Sequence, residues 1–197
     1  MLSLTAVLSS CSEDDNTVEE YPNWQARNTE YFNHLSDSVK ELIALNPART
    51  DWKRLKCWSK PEETEGDNSD YIIVNVIDEA DPSETATPIY TDTVAIHYKG
   101  RLLPSTSYPL GKVFDASYND PFDEDISVPY STLTTGGYID GVATALQHMR
   151  RGDHWTVYIP HQLGYGASGY SSIPGYSTLI FEIRMADFWP PETSDGN

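Results

Sequence analysis

The chain has 197 residues, 39% of them hydrophobic, enough to bury one domain of ordinary size with an extension and too few for two full domains. Thirty acidic residues against thirteen basic ones give a net charge of −17, which makes nucleic acid and anionic membrane surfaces poor electrostatic partners. Basic or neutral polypeptides suit it better, although such a charge also serves simply to keep an exported protein soluble.

Met1 to Cys11 is apolar and small-residue rich. It is too short to cross a bilayer, which takes ~20 apolar residues, and reads as the end of a secretory signal. Leu8-Ser-Ser-Cys11 resembles the lipobox of bacterial lipoproteins, which implies lipidation at Cys11; an accidental small-residue run before a cysteine is the alternative. The acidic run Ser12 to Asn16 is too polar to fold alone. It resembles the tract behind the lipidated cysteine in surface-exposed lipoproteins of the Bacteroides type, and a plain solvated tether accounts for it equally well. These features lead us to expect an outer-membrane lipoprotein facing either the periplasm or the cell surface, with residues 1–11 a signal remnant and 12–22 an acidic tether.

Residues 23–69 read as a helical extension and linker. From Trp24 to Leu45, Tyr31, Phe32, Leu35, Val39, Leu42 and Ile43 recur at helical spacing, and Asn46-Pro47 stops the run. This aromatic stripe could dock on the main domain or on a second copy of the chain, making a homodimer. Ala48 to Lys60 is a packed connector, in which Cys57 is a buried free thiol rather than a reactive one. Pro61 to Asp70 is an acidic loop.

The compact domain is expected over residues 70–189. Tyr71 to Ile77 is a strand by its β-branched content. Val94, Ile96 and Tyr98 alternate with Ala95, His97 and Lys99, giving a second strand with a buried face and a wetter one. Asp140 to Arg150 places Val142, Ala145, Leu146 and Met149 on one helical face, with Arg150 and Arg151 in its last turn and Gly152 beyond. Trp155, Val157 and Ile159, then Leu179, Phe181, Ile183 and Met185, mark two further strands. One short helix among alternating strands defines an α+β class, an antiparallel sheet packed around that helix. Residues 190–197 form a polar, frayed tail. The two cysteines and the scattered histidines, His34, His97, His148, His154 and His161, have neither disulfide-framework nor metal-site spacing.

His97-Tyr-Lys-Gly-Arg-Leu102, Val113-Phe-Asp-Ala-Ser117, Tyr138-Ile-Asp-Gly141, Leu163-Gly-Tyr-Gly166 and the run from Ile173 to Phe181, in this order and spacing, resemble the FKBP-type peptidyl-prolyl cis-trans isomerases. The resemblance covers about Asp70 to Trp189. It implies a twisted antiparallel sheet half-wrapped around one short helix, a pocket for the proline of a polypeptide client, and no cofactor. By motif position it assigns catalytic roles to Phe114, Asp115, Ile139 and Tyr165 and substrate contacts to Tyr98, Tyr138, Val142, Tyr170, Ile173 and Phe181. The Ile139 N–H and the Tyr165 hydroxyl would be the donors, while Asp115 would either orient Tyr98 or face the polarised substrate carbon.

Three positions depart from the family pattern. The helix residue at the pocket floor, a tryptophan in much of the family, is Val142. The loop from Asn119 to Thr135 is long and acidic and leaves the aromatic wall to either Phe122 or Ile126. The flap position often held by histidine is Tyr170. The small floor and the acidic loop keep a second expectation open, a non-catalytic chaperone or binding module on the same anchor.

Overall fold

The computed structural model describes residues 18–133 and 138–191. The expected lipidation at Cys11, the acidic run after it and the last six residues of the tail lie outside these residues. The described residues form α1 (Trp24–Leu45), β1 (Trp52–Lys56), β2 (Tyr71–Asp78), β3 (Thr93–Arg101), β4 (Val113–Ala116), β5 (Tyr130–Leu133), α2 (Asp140–Leu146), β6 (His154–Ile159) and β7 (Leu179–Trp189). All strands join one antiparallel sheet in the order β1-β2-β6-β7-β3-β4, with β5 paired to the first half of β3.

The core follows from strand alternation. Ile72 and Val74 of β2, Val94 and Ile96 of β3, Trp155, Val157 and Ile159 of β6, and Phe181, Ile183 and Met185 of β7 are buried in one cluster with Val142, Ala145 and Leu146 of α2. Every residue of α2 from Gly141 to Leu146 is buried. Its approach to the sheet depends on Gly141, where a Cβ would lie 2.4 Å from Ile159.

α2 ends four residues earlier than the expected Asp140–Arg150. Turn bonds from His148 N–H to Ala145 O and Met149 N–H to Leu146 O tighten the exit, which buries Met149. The buried carboxylate of Asp153 then accepts from Arg150 N–H (2.7 Å) and Ala80 N–H (2.8 Å), drawing the chain off the helix axis. Arg150 and Arg151 therefore follow the helix rather than cap it, and Gly152 takes the left-handed φ of 92° that the reversal needs.

The connector expected over Ala48 to Lys60 contains a strand. β1 pairs with β2 from Trp52–Asn75 to Lys56–Tyr71, so the sheet starts well before residue 70. Cys57, just after β1, is a buried free thiol against Ser59 and Thr144. α1 docks on the protein's own sheet through Trp24, Asn28, Phe32, Ser36 and Val39, steps of four and three along one face, while Tyr31 and Leu42 of the expected stripe stay exposed. Phe32 and Val39 form a second cluster with Ile73, on the side of β2 opposite Ile72 and Val74.

The face of β3 expected to be wet is covered as well. Ala95 and His97 are buried, and the long loop after β4 folds back over His97. Phe122 packs edge-on against His97 and Tyr118 (5.0 Å each) and lies under the Arg184 guanidinium. Lys99 sits over the Tyr118 ring and pairs with Asp120. Beneath them His154 spans Asp78 (3.0 Å) and Glu182 (2.9 Å), and the bond from His154 leads the influences that hold the Glu182 carboxyl down at about 2.

Candidate functional site

The site is built where β3 meets β4. In this pairing Asp115 stands opposite Gly100 and Val113 opposite Arg101, so Phe114 is the extra residue of a bulge. Successive strand residues normally face opposite ways; the bulge lets Phe114 and Asp115 serve one cleft. Gly100 makes room for them, since a Cβ there would lie 2.5 Å from the Phe114 ring and 2.9 Å from that of Phe181. The two rings meet edge to face at 5.5 Å, and Tyr98, two residues along the same face of β3, lies 6.4 Å from Phe181.

Tyr98 donates its hydroxyl to Asp115 at 2.9 Å. Burial, then this bond, raise its pKa far above the ordinary tyrosine value, so Tyr98 stays a donor throughout the physiological range. The charge of Asp115 also raises the pKa values of Tyr165 and Tyr138, in each case behind burial as the main cause. Asp115 thus binds one tyrosine hydroxyl, that of Tyr98 on β3, and its charge is felt by Tyr138 at the α2 entry and Tyr165 in the loop after β6.

At the α2 entry Ile139 is the N-cap, in extended geometry, and its carbonyl takes the Val142 and Ala143 N–H groups. Its own N–H precedes the helix and has no role in the helical ladder. Val142, at 2% exposure, belongs to the buried core. The Tyr138 hydroxyl is buried and has no hydrogen-bond partner among the described residues.

The loop between β6 and β7 forms the opposite rim. Tyr165 stacks on Tyr170 at 5.2 Å with ring planes 15° apart. Tyr170 and Ile173 exchange both backbone hydrogen bonds (3.0 and 2.9 Å), which turns Ile173 into the core and leaves Tyr170 exposed. Gly169 and Gly175 allow the loop to close, for a Cβ on either would fall 2.0–2.2 Å from a carbonyl oxygen across it.

Val142, Ile173 and Phe181 therefore lie in one buried cluster, with Tyr98, Phe114, Tyr138, Ile139 and Tyr165 packed against it; Asp115 bonds to Tyr98, and Tyr170 reaches the group through Tyr165. Neither residue expected to complete the aromatic wall does so. Phe122 is on the outer face with His97, and Ile126 is 79% exposed. Tyr130 of β5 takes the place, its ring 6.0 Å from Tyr98. It stands opposite Ile96, and cross-strand partners share a face. The signal available in the sequence was a lone tyrosine in a short polar run, which gives no alternation to read.

A sheet half-wrapped on one buried helix, with an aromatic cluster edged by a tyrosine–carboxylate pair, defines the class of domain to which the site belongs. Residues 84–186, about half of the chain, match the family model described as FKBP-type peptidyl-prolyl cis-trans isomerase, and the protein belongs to that family. It is 36% identical over 107 residues to the FKBP-type 22 kDa peptidyl-prolyl cis-trans isomerase of Escherichia coli K12, covering 53% of this chain and 45% of the relative. Identity to FkpA of the same strain is 33% over 108 residues, 55% of this chain and 35% of FkpA. The chain thus matches less than half the length of these curated relatives. Among solved structures, FkpA from E. coli is similar with a TM-score of 0.52 and 25% identity over 85% of this chain and 65% of that one. A peptidyl-prolyl isomerase from Pseudomonas syringae gives 0.51 and 25% over 81% and 95%.

Proposed function

We propose that the protein is a peptidyl-prolyl cis-trans isomerase acting on proline-containing polypeptides, and the observation that carries this is the Tyr98–Asp115 pair at 2.9 Å beside the Phe114–Phe181 wall. Rotation about an X-Pro bond is slow because amide resonance sets a barrier of ~18–20 kcal/mol. Water favours the planar, charge-separated form, so an aromatic cleft that excludes it lowers the cost of twisting. The Ile139 N–H, ahead of α2, and the Tyr165 hydroxyl can hold the carbonyls of the twisted chain, while Asp115 fixes Tyr98. Each ~1.4 kcal/mol gained selectively by the twisted state is a tenfold gain in rate, so a few such contacts suffice without covalent chemistry. The test is cis/trans exchange of a proline peptide followed by NMR. Acceleration by wild type, and its loss in Asp115→Ala combined with Tyr165→Phe, is expected; full activity in the double variant refutes the assignment.

Folding of exported or envelope proteins is the role we assign, with attachment to the outer membrane through Cys11 and either periplasmic or surface exposure. The support is the lipobox-like Leu8-Ser-Ser-Cys11 and the acidic run behind it. Fractionation of cells expressing a full-length precursor with Cys11→Ser checks this: release from the membrane fraction is expected, and retention refutes it. Pairing of two copies is proposed along the exposed side of α1, where Tyr31, Leu42, Trp52 and Leu103 line an apolar groove of about 820 Å³. Light scattering should show a mass halved by Tyr31→Glu with Leu42→Glu, and an unchanged monomer in both forms excludes pairing.

The buried Val142 at the floor favours one rival, a chain-binding module without catalysis. Peptide binding indifferent to proline, with no rate enhancement, is its signature.

A further inference from the structure

The N-terminal helix reaches the loop that carries Tyr165, Tyr170 and Ile173. The Trp24 indole N–H donates to Ser177 Oγ at 2.9 Å, and the Ser177 hydroxyl passes the bond on to the carbonyl of Pro174 at 2.6 Å. One turn along α1, the Asn28 amide oxygen accepts from Thr178 N–H at 2.7 Å, the Thr178 hydroxyl donates to the Asn28 carbonyl at 3.3 Å, and the Asn28 NH2 is fixed on Trp24 O at 2.7 Å. All four residues are buried. These are polar groups on the buried face of a helix, where apolar residues would pack as well, and each is matched to the segment that closes the loop onto β7.

From Pro174 the chain of contacts continues to the cleft without a gap. Pro174 follows Ile173, Ile173 is tied to Tyr170 by two backbone bonds, and Tyr170 stacks on Tyr165. The segment leading into α1, together with the first turn of α1, grips the other rim. Glu20 accepts from Ser105 and Ser107, and Arg27 donates to Pro104 O at 2.9 Å, all on the β3–β4 loop that leads to Phe114 and Asp115. Glu19 and Glu20, expected in a free tether, are part of this brace.

We infer that α1 is a component of the isomerase site: Trp24 and Asn28 are positioning residues that set the 164–178 loop, and with it Ile173 and the Tyr165 hydroxyl, over the bound proline. The inference rests on the proposed isomerase activity for its kinetic readout only. In the full-length chain, Trp24→Phe keeps an aromatic side chain and removes the N–H, and Ser177→Ala cuts the same relay from the other side without touching the indole. Val39→Ala serves as the control, since it weakens the α1 packing at Phe32 and Ile73 without touching the relay.

Hydrogen exchange and peptide kinetics are measured on all three. Faster exchange of the Tyr170, Ile173 and Tyr176 amides with unchanged exchange in β2 and β6 is expected for Trp24→Phe and Ser177→Ala. So is a kcat/KM lower by about three- to tenfold, the range of one neutral hydrogen bond, with the double variant no worse than either single. Val39→Ala should lower Tm and leave both loop exchange and kcat/KM in place. Equal effects in Val39→Ala, or unaltered loop exchange in the two relay variants, overturn the inference. Inactive wild type overturns the isomerase assignment instead, and the exchange data still decide whether α1 holds the loop.

Discussion

Replacing Gly100 with alanine tests the cleft through a single methyl group. Gly100 is an interior residue of β3 outside the left-handed region, so the backbone accepts alanine without strain, and the restricted unfolded chain alone would favour the variant by ~0.4–1 kcal/mol. The added Cβ would, however, lie 2.5 Å from two atoms of the Phe114 ring and 2.9 Å from Phe181. Phe181 is 7% exposed and enclosed by the core, whereas Phe114 sits on the edge strand β4 and is free to swing outward. Restoring van der Waals separation takes a shift of about 1 Å. Overpacking of this kind costs ~1–3 kcal/mol, so the net loss should be up to about 2.6 kcal/mol, or up to roughly 10 °C in Tm. The kinetic loss should be larger, because a 1 Å misplacement at a reacting centre costs up to about 100-fold and Phe114 is covalently next to Asp115. Cis/trans exchange of a proline peptide is therefore expected to show kcat/KM down about 10- to 100-fold in a protein still folded by circular dichroism. Wild-type kcat/KM with an unchanged Tm refutes the assignment of Phe114 and Phe181 as the proline wall.

Tyr98→Phe removes the donor to Asp115 and should lower stability by only ~0.5–1.5 kcal/mol while reducing kcat/KM; undiminished activity would show that Asp115 needs no orientation by Tyr98. Tyr138→Phe deletes a buried hydroxyl that has no partner among the described residues, so thermal unfolding should show a neutral or slightly higher Tm, and a loss of more than ~1 kcal/mol contradicts this. Glu182, held at about 2 against an ordinary 4.5, contributes stability that is present above pH 4.5 and is lost as pH falls through its folded value. Its carboxylate is partly exposed, which limits the size of the effect. Denaturation at a series of pH values should find Glu182→Gln less stable than wild type at neutral pH, the gap closing below 4.5, and a gap independent of pH excludes ionisation of Glu182 as its cause.

What could be read from the sequence was whatever depends on near neighbours in the chain. The extent of α1 follows from its spacing and the Asn46-Pro47 stop, the strand at Tyr71 from its β-branched content, and the strands at Thr93, His154 and Leu179 from alternation. The proposed pocket residues came from the family resemblance of short motifs, and their glycines mark places where rings approach the backbone, as at Gly100. What was missed depends on partners distant in sequence. β1 is a strand only because β2 lies beside it, and its half-buried Trp-Lys-Arg-Leu-Lys carries no clear period. His97 and Lys99 read as wet because nothing local announces that Phe122 and Tyr118 return to cover them. Tyr130 became a wall residue through its register against Ile96, which no property of its own segment determines.

The same register explains how a long acidic insertion can lie beside the cleft without displacing it. The excursion leaves the sheet at Ser117, which is clamped on Tyr98: Tyr98 N–H donates to Ser117 Oγ and Ser117 N–H donates to Tyr98 O, both at 2.9 Å. It re-enters at Tyr130, opposite Ile96. Exit and return are thus fixed two residues apart on one strand, and lengthening a loop whose ends are already held together costs little closure entropy. Between those points Phe122 and Tyr118 are tied to the outer face, to His97, Arg184 and Lys99, on the opposite side of β3 from Tyr98 and Gly100. The insertion is thereby anchored by one face of β3 while the other face holds the pocket, so the departure from the family pattern in that loop leaves the Tyr98–Asp115 geometry intact. The departure at Val142 has no such isolation, because Val142 lies in the same buried cluster as Phe181 and Ile173. Differences in rate or client choice from other family members should therefore trace to the floor before they trace to the acidic loop.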